Sequence, residues 1–238
     1  MINFNAKSLI PLCAGFDFEL TSEAAERLEI YGNMLLEWNE KFNLTAITEP
    51  EEVLYKHFYD CLLFFSAVPV QKKAKIIDIG AGAGFPSLVL RIARPDIDIT
   101  MLDGLNKRIT FLNAVLSELG LNGTAEHLRA EEAGGDERYR ERFDIACARA
   151  VASLNVLSEY CAPFVKPGGI FVSMKSGVVL EEAEGAKNAF KLLGLDKPEI
   201  IFKTLRENEK RSFIIAKKIS QTPPKYPRTS AKIKKAAL

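Results

Sequence analysis

The chain has 238 residues, 47% hydrophobic and 26% charged, ordinary figures for a soluble protein with a full core: one large domain, or one domain with a helical extension. No apolar run approaches the roughly 18–20 residues that a membrane span needs. A net charge of +1 conceals a polarity, because residues 1–71 hold eleven acids against four bases and residues 203–238 hold eleven bases against two acids; that asymmetry points to a polyanionic partner at the C-terminal end.

The opening Met1-Ile2-Asn3-Phe4-Asn5 lacks the basic start and apolar stretch of a secretory signal. Cys13, Cys61, Cys147 and Cys161 are scattered with no C-x-x-C pair, the pattern of free thiols in a reducing cytoplasm. Residues 1–72 read as an N-terminal helical extension. Thr21 or Ser22 can cap a helix whose apolar positions Ala24, Ala25, Leu28, Tyr31, Leu35 and Leu36 recur at helical spacing. After a polar break at 43–47, Pro50 followed by Glu51 and Glu52 marks the start of another helix. His57 and Asp60 lie three apart on it and share a face. A metal would need more ligands than this pair offers, so none is expected.

From residue 73 to about 220 the chain alternates strand and helix, which argues an α/β parallel sheet. The apolar run Lys75-Ile76-Ile77-Asp78-Ile79 breaks into Gly80, Gly82 and Gly84, a tight turn into a helix over 86–93. Glycine permits positive φ there and lets backbone N–H groups approach a ligand, and the helix beyond the turn would add free donors at its N-terminus. A dinucleotide fingerprint wants G-x-G-x-x-G, but here the third glycine comes one residue early and Phe85 stands in its place. Both a dinucleotide and S-adenosylmethionine are nucleotide-type ligands for such a turn.

The second strand, 98–103, ends in Asp103, where Rossmann-like sites bind ribose hydroxyls; capping of the next helix is the competing role. A helix follows over 106–119, then a strand near 124–128. The strand over 143–148 leads into Arg149, placed in the crevice past the carboxyl ends of parallel strands. Residues 153–161 are helical, 166–169 form a turn, and a fifth strand over 170–174 ends at Lys175. A helix over 180–193 precedes two strands, 199–205 and 211–217, joined as a hairpin. Residues 221–238 read as a basic C-terminal tail, and its Pro-rich stretch 222–228, with one aromatic, as an extended segment suited to a phosphate backbone and a stackable base.

Several motifs run together along nearly the whole chain: Asn43-Leu44-Thr45-Ala46, Lys56-His57-x-x-Asp60-x-Leu62, Asp78-Ile79-Gly80-Ala81-Gly82-Ala83-Gly84-Phe85-Pro86 and Asp103-x-x-x-Lys107-Arg108-x-x-Phe111-Leu112. Arg129-Ala130-Glu131, Ala148-Arg149-Ala150 and Lys225-Tyr226-Pro227-Arg228 complete the set. In this combination the sequence resembles the bacterial 16S ribosomal RNA guanine-N7 methyltransferase family (RsmG, also called GidB). The resemblance implies a class I methyltransferase fold: a Rossmann-like seven-stranded sheet, mostly parallel, with an antiparallel last strand. It implies transfer of a methyl group from S-adenosylmethionine to N7 of one guanine, position 527, in 16S ribosomal RNA, as naked RNA or within the 30S subunit.

Carried over residue by residue, the resemblance places cofactor contacts on Gly80, Phe85, Ala130, Glu131 and Arg149; the strand-end argument adds Asp103. Basic candidates for RNA are Lys107, Arg129, Lys175, Arg211, Lys225 and Arg228. Guanine N7 has a lone pair and no proton, so in-line attack on a sulfonium methyl needs no general base. No catalytic residue is therefore singled out, with Arg149 and His57 as candidates. The chain departs from the family pattern after Pro227-Arg228, where Thr229-Ser230-Ala231-Lys232 replaces the usual Gly-x-Pro continuation. It also has Cys61 where the family usually has serine. A cytoplasmic monomer is expected, with the tail serving RNA and dispensable for cofactor binding. The rivals are an NAD-dependent oxidoreductase and an RNA-binding module that keeps the cofactor as a structural ligand.

Overall fold

Apolar side chains alternate along each strand and sort the protein into two helical layers on either face of one sheet. The computed structural model describes residues 4–177 and 179–238. The first three residues of the Met1–Asn5 opening lie outside the described residues. The strands are β1 (Lys75–Ile79), β2 (Asp98–Asp103), β3 (Thr124–His127), β4 (Phe143–Arg149), β5 (Val165–Ser176), β6 (Glu199–Arg206) and β7 (Glu209–Lys217). They stand in the order β3-β2-β1-β4-β5-β7-β6. All neighbouring pairs from β3 to β5 are parallel, and β7 enters antiparallel between β5 and β6.

On one face Ile76, Met101, Cys147, Val172 and Phe213 pack against the N-terminal helices. These are α1 (Ser22–Phe42), α2 (Pro50–Val53), a π-helical turn (Leu54–Tyr59), α3 (Asp60–Leu62) and α4 (Phe64–Ala67). Helices α5 (Ser87–Ala93) and α6 (Asn106–Glu118) complete that layer. The Thr21 hydroxyl caps α1 by accepting from the Ala24 N–H at 3.1 Å, as the sequence signals. On the other face Ile77, Leu102, Ala146, Phe171 and Ile214 meet the remaining helices. These are α7 (Ala130–Ala133), α8 (Leu154–Cys161), α9 (Leu180–Gly185), α10 (Lys187–Leu193) and α11 (Ser230–Lys235).

Three local expectations change. Residues 166–169 are a bulged start of β5 rather than a free turn, since Val165 already pairs with Phe143 before the register shifts to Ile145 and Ile170. The helix expected over 180–193 is divided at Ala186 into α9 and α10. The C-terminal tail is not extended: Thr222 and Tyr226 are buried and Ile233 on α11 is fully buried. Arg140 holds the tail by donating to the carbonyls of Thr222 and Tyr226 at 2.6 and 2.9 Å. These two hydrogen bonds and three buried side chains hold the segment against the protein.

The N-terminal layer meets the glycine turn through Tyr31, whose buried hydroxyl donates to the Ala83 carbonyl. Gly84 has φ +99°, and a Cβ there would lie 2.5 Å from Leu88 Cδ1 and 2.9 Å from the Tyr31 hydroxyl. Gly84→Ala should therefore cost roughly 1–3 kcal/mol from overpacking and backbone strain together. A urea-denaturation midpoint equal to that of the parent chain would contradict this role for Gly84.

Candidate active site

The glycine turn is closed on itself. Gly80 and Ala81 N–H groups donate to the Leu102 carbonyl at 2.8 and 3.1 Å, and Gly84 and Phe85 donate to the Ala81 carbonyl at 2.8 and 3.1 Å. The Gly82 N–H donates to Asp103 Oδ2 at 2.9 Å. The α5 N-terminus is not open either, because Asp78 Oδ2 accepts from the Ser87 N–H at 3.2 Å and from its hydroxyl at 2.7 Å. Burial pushes the Asp78 carboxyl up to about 7, against the opposing hydrogen bonds from Ser87. A pyrophosphate needs free backbone donors at this turn. The N–H groups of Gly80, Ala81, Gly82, Gly84 and Phe85 are consumed internally, so the turn suits a ligand without phosphates.

Beside the turn lies a cavity of about 330 Å³, within the size range of small-molecule sites. Gly80, Asp103, Ala130 and Glu131 line it, four of the six expected cofactor residues. Gly80 is required by packing: at φ +71° a Cβ would meet Val151 Cγ2 at 2.9 Å. Asp103 is buried and partly committed, accepting from Gly82, from the Leu105 N–H at 2.9 Å and from Arg108 Nη1 at 3.0 Å. A carboxylate offers about four acceptor directions, so one is left for a ligand hydroxyl. Asp103 thus braces the approach to α6 through the Leu105 N–H without capping the helix, and its remaining acceptor direction is compatible with a ligand hydroxyl. Glu131 is half-buried, and its carboxylate has no partner among the described residues.

Phe85 and Arg149 do not line this cavity. Phe85 is buried, its ring stacked on His57 with centroids 4.4 Å apart and covered by Arg149, whose guanidinium carbon lies 4.9 Å from the ring centroid. Arg149 belongs to a second cavity of about 330 Å³, walled by Ile47, Met174 and Phe213 and by polar Lys56, His57, Asp60 and Arg211. Residues 149 and 150 line this second cavity, and residues 151 and 152 line the first. The β4–α8 connection is therefore the partition between them. Ala150 in it has φ +56°, a conformation costly for a residue with a Cβ. Lys175 braces the same connection, donating to the Ala152 carbonyl at 2.6 Å and to Glu182 Oε1 at 2.8 Å.

Asp60, 4% exposed, anchors the second cavity by accepting from Arg149 Nη1 at 3.0 Å and from Arg211 Nε at 2.8 Å. The pair His57 and Asp60, three apart on one helix face, is buried. The wide π-helical turn carries His57 inward. A guanidinium only donates, so His57 Nδ1, 3.2 Å from Arg149 Nη2, is the acceptor nitrogen. The proton then sits on Nε2, 2.8 Å from Thr45 Oγ1. Burial and then the Arg149 charge push the His57 pKa down to about 3.

Of the basic residues expected to face RNA, several are tied internally. Arg228 forms a two-pronged pair with the fully buried Glu159, at 2.8 Å from Nε and 2.6 Å from Nη2. Arg211 and Lys175 are engaged as described, and Lys107 Nζ donates to the Phe42 carbonyl at the end of α1, at 2.6 Å. Arg129 and Lys225 are exposed. Sequence reasoning missed Tyr160, Ser230 and Lys234, which also line the first cavity. Only the basic composition of the tail hinted at the last. Among the described residues no group of three or more His, Cys, Asp or Glu is placed to hold a metal.

The strand order with β7 inserted antiparallel, and a cavity at the carboxyl ends of β1, β2 and β4, define a class I methyltransferase fold. Solved structures share it at low identity. Geranyl diphosphate methyltransferase, solved with GPP and sinefungin, superimposes with a TM-score of 0.56 at 12% identity, covering 84% of this chain and 99% of that one. A predicted O-methyltransferase from Agrobacterium tumefaciens gives 0.55 at 18% identity, covering 68% and 81%. Sequence similarity is closer. The family profile described as rRNA small subunit methyltransferase G matches residues 24–213. Curated proteins named ribosomal RNA small subunit methyltransferase G are 46% identical in an Exiguobacterium species, covering 94% of this chain and 95% of the relative, and 45% identical in Acetivibrio thermocellus, covering 98% and 96%. The chain belongs to the rRNA small subunit methyltransferase G family.

The neutral imidazole sets a pH signature. The unfolded chain takes up a proton on this histidine near 6.5 and the folded one at about 3, so stability on this account is full above 6.5 and declines as pH falls from there toward 3. Imidazole nitrogen NMR should show His57 as the Nε2–H tautomer with no titration between pH 5 and 8. A midpoint near 6.5 would overturn the assignment.

Proposed function

We propose that the chain transfers the methyl group of S-adenosylmethionine to N7 of one guanine in 16S ribosomal RNA, with the donor in the first cavity and the base in the second. The observation that carries this is the shared partition: one short connection, 149–152, lines both cavities. The residues present fit the donor, since the first cavity offers carboxylate acceptors for hydroxyls and no cradle for phosphates. S-adenosylmethionine, when bound, supplies an electrophilic methyl on a sulfonium.

The chain's own groups do the positioning. Asp103, with its remaining acceptor direction, and Glu131 receive ribose hydroxyls, while Gly80 and Ala130 let the cavity wall come close. Phe85 and Arg149 act from beneath: the ring supports the His57 imidazole and the guanidinium holds the partition's start in place. Ile47, Met174 and Phe213 offer apolar walls for a planar base taken out of its stack. His57 stays neutral, so it orients and does not shuttle protons, as suits a lone-pair nucleophile. Alignment of donor and acceptor is what such a site contributes, worth several kcal/mol of barrier or more. Arg149 and Arg211 share Asp60, and Arg211 also pairs with Glu209 at 3.4 Å; as pure donors the two guanidiniums suit a phosphate or the guanine O6, not the ring that becomes cationic. Lys225 is exposed for a phosphate contact, Arg129 stands in the wall of the first cavity, and Arg228 holds the tail.

We read the protein as a cytoplasmic monomer acting on 16S RNA, alone or in the small subunit. No helix among the described residues is long and apolar enough to cross a membrane. The large exposed apolar side chains, such as Leu12, Leu105 and Phe202, come from separate elements.

The decisive experiment incubates the protein with methyl-labelled S-adenosylmethionine and small subunits from cells lacking this methylation. Label at N7 of a single 16S guanine is expected; no label on subunits or on naked RNA would reduce the chain to a binding module. Asp103→Ala should weaken S-adenosylmethionine binding about tenfold in calorimetry, for loss of a charged hydrogen-bond acceptor. Unchanged affinity would sink the ribose assignment.

A further inference from the structure

The C-terminal segment is bound where the donor cavity is built. Glu159 and Tyr160 are neighbours on α8, and the tail uses both. Arg228 clamps Glu159, its own N–H adding a contact to Oε1 at 2.8 Å, and the Ser230 hydroxyl lies 3.3 Å from that of Tyr160. Pro227 packs on the end of α7, where a Cβ on Gly134 would meet its Cγ at 2.8 Å. Helix α7 carries Ala130 and Glu131 on its first turn. Ile233, fully buried in the cluster that includes Leu157 and Tyr160, fixes the rotation of α11. With that residue inward, Ser230 and Lys234 come to the wall of the donor cavity, one helical turn apart.

The polar groups they bring are complementary to what is already there. Glu131 is an acceptor with no partner among the described residues, and the Lys234 ammonium likewise has no hydrogen bond or ion pair among them. They do not neutralise one another, since no ion pair joins them. A nucleoside satisfies both kinds of group: its hydroxyls and exocyclic amine donate, and its purine ring nitrogens accept.

We propose that residues 229–235 are a structural wall of the donor site and that Lys234 donates to the adenosine half of S-adenosylmethionine. This rests on the first cavity being the donor site. It makes the tail a determinant of cofactor binding rather than an appendage that serves RNA alone.

The test is calorimetry with two probes, S-adenosylhomocysteine and 5′-methylthioadenosine, which share the adenosine half and differ in the amino-acid half. Lys234→Met, at an exposed position that leaves the Ile233 anchor intact, should weaken both probes by the same factor, about tenfold. Unchanged affinity for both, or a loss confined to S-adenosylhomocysteine, overturns the inference. A chain ending at Arg228 should lose at least as much, with far-UV circular dichroism reporting that it is folded; full affinity in that shortened chain also overturns it. Glu131→Gln separates the two levels. If it weakens both probes while Lys234→Met does not, only the tail inference falls; if neither variant changes affinity, the donor-site reading falls with it.

Discussion

One buried carboxylate ties three parts of the chain into a site. Asp60 comes from the N-terminal helices, Arg149 from the end of β4 and Arg211 from β7, and they meet at hydrogen-bonding distance with little solvent. Such a cluster is a poor source of net stability, because the cost of removing charges from water offsets most of their attraction. Its effect is geometric. With Asp60 in place, the two arginines can sit side by side, the β4–α8 connection starts from a held residue, and the N-terminal layer is registered on the carboxyl edge of the sheet. Removing Asp60 would leave both arginines without their shared counter-ion, whereas loss of either arginine would leave Asp60 paired with the other.

The same arrangement decides the chemical character of the site. His57 stacks on the Phe85 ring beside the Arg149 guanidinium, where burial and a neighbouring positive charge both oppose protonation. A histidine kept neutral is of no use as an acid and is not needed as a base for guanine N7. Groups that could titrate near neutrality are thus either silenced, as here, or, like Asp78, spent on bracing the turn. What is left is a positioning device with two cavities and a partition.

The tail shows how charge composition can point to the right molecule and the wrong contact. Eleven basic residues after 202 suggest a polyanion. Yet Arg228 spends its charge on a buried glutamate, Lys218 is fully buried, and Arg211 is bound to Asp60. A formal charge at the surface of a sequence becomes a structural bond once a carboxylate from another element lies opposite it. Lys225 keeps the exposure that a phosphate contact requires.

The order of strands and helices from β1 to β7 was legible in the sequence, because apolar periodicity and turn residues act over a few positions. So was the character of the glycine turn: an early third glycine with Phe85 after it, and an acid at the end of β2. The place of Arg149 at the carboxyl end of β4 followed from the same local pattern, though it faces the second cavity and not the one beside the glycine turn. Tertiary structure alone decided where the side chains point. It buried His57 and Asp60 through a π-helical turn, set Arg149 in the wall of the second cavity with Phe85 beneath it, tied Asp103 to the glycine turn, and folded the tail onto α7 and α8. Each of these depends on partners tens of residues away. Hydrophobic spacing specifies an element from within it, but a hydrogen bond or ion pair across the fold is chosen only when packing brings the two groups together.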